Sequence, residues 1–154
     1  MEPHVMEEMS TVLIVVALAM VSGEGKVLVQ QRPPNKAHGG LWEFPGGKLD
    51  AGETPEEALV REIDEELGVA VAKPDLVPLT FASDRAGAGK RSLLLLLYTT
   101  RHWQGVPAAL ETGTQIAWVS PDMFCTLPMP PLDVPLAQAL IPLLEGVAKG
   151  KRPA

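Results

Sequence analysis

Between Asp50 and Glu66 the chain carries eight acidic residues (Asp50, Glu53, Glu56, Glu57, Glu62, Asp64, Glu65, Glu66) and one basic residue, Arg61, a local charge of -7 in 17 residues. The whole chain has a formal charge of -6, so everything outside that segment sums to +1. Like charge so concentrated repels itself unless a cation or a basic partner relieves it. The segment is also sharply bounded. Pro45-Gly46-Gly47 breaks the chain ahead of it, Thr54 is a good helix N-cap, Pro55 suits the first helical position, and Glu57 completes a T-x-x-E capping box. Gly68 is placed to end the helix after Leu67. On a helix over 55–67, Glu62, Glu65 and Glu66 stand at i, i+3 and i+4 and share one face, beside an apolar stripe of Leu59, Ile63 and Leu67. Three carboxylates on one face destabilise a helix unless something compensates them. A divalent metal does so, because clustered hard oxygens suit Mg2+ or Mn2+ and Mg2+ binds a few carboxylates together with substrate phosphates. A solvated helix face is the alternative reading of such a charge run. Arg61, four residues from both Glu57 and Glu65, is placed to orient a carboxylate.

The rest of the chain sets limits. With 154 residues, 46% of them hydrophobic, it fits one globular domain. A chain of this size buries roughly 68–70% of its unfolded surface, so neither a disulfide framework nor a structural metal is required. The single cysteine, Cys125, forms no internal bridge and no CxxC pair, which suits a reducing, cytoplasmic setting. Cys125 is expected as a small buried hydrophobe. The 14 glycines and 15 prolines are under a fifth of the chain, below the roughly 25–30% typical of low complexity. The longest apolar run, Val12 to Val21, has ten residues, half of the about 20 a membrane span takes. Residues 1–10 hold Glu2, Glu7 and Glu8 and no Lys or Arg, unlike a signal peptide. No membrane partner is expected, and the negative charge argues against binding a nucleic-acid polymer through its phosphates.

The pattern predicts a flexible N-terminus (1–10), one domain (11–148) and a frayed tail (149–154). Thr11 to Ser22 reads as a strand buried on both faces, joined through Gly23-Glu24-Gly25 to Lys26–Arg32 as a hairpin. Pro33 to Gly40 is loop. Leu76–Ala82, Ser92–Thr99 (flanked by Gly87, Gly89 and Lys90) and Ile116–Val119 are further strands. Ser120-Pro121-Asp122 starts a helix. The proline-rich stretch Leu127–Pro135 is an extended loop, and Val134–Val147 a closing helix in which Pro142 introduces a kink or a split.

Gly47, Glu53, Arg61-Glu62-Ile63, Glu65-Glu66 and Gly68-Val69 match the Nudix box, Gx5Ex7REUxEExGU with U aliphatic, at each of its nine constrained positions over 23 residues. The chain thus resembles the Nudix hydrolases. Trp42-Glu43-Phe44-Pro45-Gly46-Gly47-Lys48 is similar to the MutT branch and the related CTP pyrophosphohydrolases. The resemblance implies an α+β Nudix fold, an α/β/α sandwich with a curved mixed sheet. It also implies a box that holds Mg2+, with Mn2+ substituting, on a nucleoside triphosphate substrate. The enzyme would be a monomer or a small homo-oligomer.

Carried over by position, the resemblance makes Glu62, Glu65 and Glu66 metal ligands and the carbonyl of Gly47 a further one. Glu53 and Arg61 would take structural or orienting roles. Glu111, after Trp103-Gln104-Gly105, resembles the MutT loop glutamate that binds metal or helps activate water; a solvated glutamate is the alternative. Glu62, Glu65, Glu111, Arg61 and Glu53 form the expected catalytic set, and Arg32, Arg91, Glu43, Phe44 and Asp133 the expected substrate contacts. Products would be a nucleoside monophosphate and pyrophosphate. Asp133 stands where the MutT pattern has a base-reading asparagine and looks more like the CTP-type sequence. An ionised aspartate accepts hydrogen bonds only, so it would favour donor-rich base edges; capping the following helix is the other reading. His38 is expected at the surface or the substrate's edge. His102 and Trp103 end a strand and pack. No Gx4GK[ST] loop is present.

Overall fold

A computed structural model describes residues 12–84 and 91–148 of the chain. The expected N-terminal segment 1–10, the tail 149–154 and the Gly87, Gly89 and Lys90 flank lie outside the described residues.

Among the described residues, seven strands form two sheets. A mixed four-stranded sheet has the order β4-β1-β6-β5, from β1 (Val12–Met20), β4 (Gly46–Lys48), β5 (Val77–Asp84) and β6 (Ser92–Thr100). β1 and β6 run parallel in register from Val12 opposite Ser92 to Met20 opposite Thr100, and the other two pairings are antiparallel. An antiparallel three-stranded sheet has the order β3-β2-β7, from β2 (Val27–Gln31), β3 (Trp42–Glu43) and β7 (Gln115–Val119).

The apolar runs of β1 and β6 explain the layering. Successive strand side chains alternate between faces, so a run without polar residues needs cover on both. Val16, Leu18 and Met20 of β1, with Leu96 and Tyr98 of β6, pack against Ala58, Leu59, Ile63 and Leu67 of helix α1 (Pro55–Leu67). Ala17, Ala19, Leu95 and Leu97 point the other way, to Leu136, Leu140 and Leu144 of α3 (Asp133–Ala148) and to Phe124 of the short α2 (Pro121–Phe124). Each fully buried Leu or Ile in these layers contributes roughly 1.5–3 kcal/mol.

α1 forms as its sequence signals require. The Thr54 hydroxyl accepts from the Glu57 N–H at 3.2 Å, the Glu57 carboxylate accepts from the Thr54 N–H at 2.9 Å, and Gly68 closes the helix at φ +70°.

Four expectations are corrected. β1 and β2 do not form a hairpin: apart from one bridge, Val21 to Val27, they diverge into separate sheets, because β1 is taken up by β6 and β4. Pro45-Gly46-Gly47 is not simply a break, since Gly46 and Gly47 belong to β4 and pair with Ala17 and Val16. A Cβ on Gly46 would collide with the Val16 carbonyl, and only glycine permits that approach. α3 runs unsplit through Pro142. Cys125 is exposed, because one-turn α2 gives its inner face to Phe124.

Candidate active site

Arg61 is the hub of the acidic segment. Its Nε and Nη2 each donate to the Glu53 carboxylate at 2.8 Å, Nη2 also donates to the Lys48 carbonyl at 3.1 Å, and Nη1 donates to Glu62 at 2.6 Å. Glu65 lies at the edge of the same fork, 3.4 Å from Nη1. The Arg61 bonds, with an N–H from Asp50, hold the Glu53 carboxyl down at about 2. The hydrogen bonds to Glu53 and Glu62 in turn push the guanidinium further toward its charged form. A planar fork gripping two carboxylates and a backbone carbonyl ties α1 to the loop before it.

Glu62 and Glu66 are neighbours on the inner side of α1. The Glu62 carboxylate lies against Gly47, where even a Cβ would collide with it. Glu66 accepts from Gln30 Nε2 at 2.8 Å, yet burial pushes its carboxyl up to about 8, with the Glu62 and Glu43 carboxylates adding to the rise. Glu65 faces solvent. The three box glutamates are therefore not yet convergent, and among the described residues no three Asp, Glu, His or Cys side chains meet in a metal-holding group. The donor chemistry still fits a hard divalent cation: two adjacent carboxylates, Glu62 and the buried Glu66, stand beside a backbone with no side chain in the way.

Gly47 also lines a cavity of about 480 Å3. Its walls come from Val15 to Ala17 of β1, Gly46 to Lys48 of β4, and Leu93 and Leu95 of β6. Its polar groups are Arg32, His38, Glu43, Lys48, Asp84 and Asp133. Arg32 Nη1 donates to Glu43 at 3.0 Å and its Nε to the Ala37 carbonyl at 2.7 Å. Burial raises the Glu43 carboxyl above its ordinary value against the pull of Arg32. Phe44 is buried, its ring stacked on Phe124 with centroids 6.0 Å apart, and its N–H donates to Asp133 Oδ2 at 3.3 Å.

Asp133 opens α3 and is 6% exposed. Burial and the nearby Glu43 charge push its carboxyl up to about 7, so it is not the fully ionised acceptor that its composition implies. Its carboxylate meets the Phe44 N–H in the cavity wall. Glu111 stands on the loop before β7, where Lys36 Nζ donates to it at 2.6 Å. Arg91 is exposed just ahead of β6 and is not a cavity wall residue. Gln30, Lys36 and Asp84 are site neighbours that sequence reasoning missed. Gln30 had a signal, a polar residue closing the apolar strand 27–29; the other two had none.

A carboxylate face braced by one arginine and meeting a ligand-sized cavity at a glycine defines the class, an α+β protein with a carboxylate-rich candidate centre. The NUDIX domain family matches residues 11–144, and the chain belongs to that family. It is 34% identical over 131 residues to the CTP pyrophosphohydrolase of Escherichia coli, covering 85% of this chain and 93% of that protein. It is 31% identical over 130 residues to the 8-oxo-dGTP diphosphatase of Haemophilus influenzae, covering 84% and 92%. The solution structure of the E. coli ORF135 protein superposes with a TM-score of 0.75 at 32% identity, covering 87% of this chain and 91% of that one. The enzyme is thus a Nudix hydrolase of the MutT-like branch, and that family generally uses a divalent metal. Among the described residues no helix is long and apolar enough to cross a membrane.

Proposed function

We propose that this Nudix hydrolase is a Mg2+-dependent nucleoside triphosphate pyrophosphohydrolase of the cytoplasm. It would convert 8-oxo-dGTP or another noncanonical (d)NTP to the nucleoside monophosphate and pyrophosphate, which sanitises the nucleotide pool. The observation that carries this reading is Gly47, which touches the Glu62 carboxylate and also lines the cavity. A nucleotide whose base lies toward Asp133 would extend its phosphates past Lys48 and Gly47 to the acidic face. The diphosphatase and pyrophosphohydrolase names of the relatives support the same assignment.

In this mechanism Glu62, Glu65, Glu66 and the Gly47 carbonyl would hold the metal. Bound there, Mg2+ or Mn2+ supplies phosphate neutralisation and a lowered water pKa. Glu53 locks Arg61, and Arg61 sets the angle of Glu62. Glu111, once free of Lys36, would accept a proton from the attacking water, a role supported by the resemblance of its loop to the MutT pattern. Arg32 and Lys48 line the cavity as its basic groups, while Arg91 would reach the phosphates only from outside it. Phe44 offers its N–H and ring to the floor, and Glu43 fixes Arg32.

CTP and modified pyrimidine triphosphates are the second reading, favoured by Asp133 in place of the MutT asparagine. With its carboxyl near neutrality, Asp133 both donates and accepts, so it suits cytosine as well as an oxidised guanine edge. Pyrophosphate release with Mg2+ from 8-oxo-dGTP, dGTP, CTP, dCTP and a dinucleoside polyphosphate tests both. The highest kcat/KM on 8-oxo-dGTP supports the first reading and on CTP the second. Cleavage of none of them rules out both.

A further inference from the structure

The geometry points to His38 as a base-binding residue whose imidazole ring contacts the base of the nucleotide in the cavity; this rests on the nucleotide reading above. His38 is one of the cavity's wall residues, on the loop between β2 and β3. It is also the one non-glycine with positive φ among the described residues, at +58°. That backbone region favours glycine, and the loop is not short of glycine where it is needed. At Gly39 a Cβ would come within 2.6 Å of the Pro34 carbonyl and 2.8 Å of the Pro33 carbonyl, and Gly40 sits at φ +83°. Both are glycines. Position 38 has the same left-handed backbone as Gly40 and holds an aromatic ring instead.

Strained residues persist when surrounding contacts over-determine them, and they cluster at ligand sites. The contacts here are explicit. Arg32 Nε donates to the Ala37 carbonyl at 2.7 Å, Lys36 Nζ to Glu111 at 2.6 Å, the Gly39 N–H to the Lys36 carbonyl at 2.9 Å, and the Gly40 N–H to the Arg32 carbonyl at 3.0 Å. Ala37 and Gly40 are thus tied to the site's own arginine, and Gly39 to Lys36, which holds Glu111. The strained residue is one of those that line the cavity. A planar ring recognises a nucleobase through its face, while Asp133 reads polar groups on the base edge. Neither the box nor the Trp42–Lys48 stretch includes position 38, so this contact belongs to this chain's loop.

The test uses product nucleotides, which need no turnover. Calorimetry would compare CMP, GMP and 8-oxo-dGMP with base-less ribose 5-phosphate, on wild type, His38→Asn and His38→Tyr. Asparagine tolerates the left-handed backbone and lacks the ring; tyrosine keeps a ring. His38→Asn is expected to weaken the monophosphates by about 5–20-fold, within the range of base–aromatic stacking. It should leave ribose 5-phosphate unchanged, and His38→Tyr should recover most of the loss. Unchanged monophosphate binding in His38→Asn overturns the proposal, as does an equal loss for ribose 5-phosphate, which assigns the effect to the loop or the phosphate. If wild type binds no monophosphate and cleaves no triphosphate, the nucleotide reading itself is overturned and His38 with it.

Discussion

Asp133 titrates where most aspartates do not. Its folded carboxyl is raised to about 7 by burial and by Glu43, so between about pH 4 and pH 7 the folded protein holds a proton that the unfolded chain has released. Stability attributable to this group is therefore full at low pH, falls as pH rises through that window and levels off above it. Asp133→Asn removes the effect while keeping an oxygen for the Phe44 N–H. Denaturant melts should show the variant gaining on wild type by about 2–4 kcal/mol between pH 5 and pH 8. A pH-independent difference would mean that the carboxyl is not perturbed. The same variant should change the kcat/KM ratio between 8-oxo-dGTP and CTP if the residue reads the base, because a site built around a polar pair rejects its mismatch. Glu65 gives the opposite kind of test. Its side chain is exposed and Arg61 is its one close partner among the described residues, so Glu65→Gln should leave the melting temperature within about 2 °C while activity falls by orders of magnitude. Wild-type turnover in that variant would remove Glu65 from the metal set.

Among the elements, α1 and β4 hold the site from opposite sides. The reciprocal Thr54 and Glu57 bonds start α1, so Thr54→Ala should cost about 1 kcal/mol and lower the melting temperature by about 2–4 °C, with kcat nearly unchanged. β4 tolerates less. A methyl on Gly46 meets the backbone of Val16 and Ala17, which no rotamer change can move, so Gly46→Ala should cost at least about 3 kcal/mol. A Gly46→Ala protein that melts like wild type would show that β4 does not lie so close to β1. The helix was legible because its start, stop and apolar stripe are local signals. β4 was not, because Pro45-Gly46-Gly47 reads as a turn until β1 is beside it. The false hairpin has the same origin: the turn after Ser22 is real, with the Gly25 N–H on the Ser22 carbonyl at 3.0 Å. Which strands then pair is decided by competition for β1.

In the molecule as a whole, the two helical layers press the sheet between them and leave the Glu62 carboxylate of α1 against Gly47 of the cavity wall. A cation that binds only the folded arrangement stabilises it by mass action, by about 2.7 kcal/mol at a hundred times its dissociation constant. Mg2+ in place of EDTA should therefore raise the wild-type melting temperature by roughly 5–10 °C. The shift should be smaller in Glu66→Gln, whose metal-free form should itself melt higher because the cost of burying that carboxyl is gone. Equal shifts in the two proteins would take Glu66 out of the metal set. The family and its box were readable from the chain alone, because the nine box positions lie within one 23-residue segment. So were α1 with its caps and the presence of strands buried on both faces, because the periods and caps that encode them are local. Folding in three dimensions was needed to part β1 and β2 into two sheets, to bring Gln30 to Glu66 and Lys36 to Glu111, and to set Asp133 beside the Phe44 N–H in the cavity wall. Those pairs are 36, 75 and 89 residues apart. Contacts that distant follow from packing of the two faces of β1 and β6, and no local pattern records them.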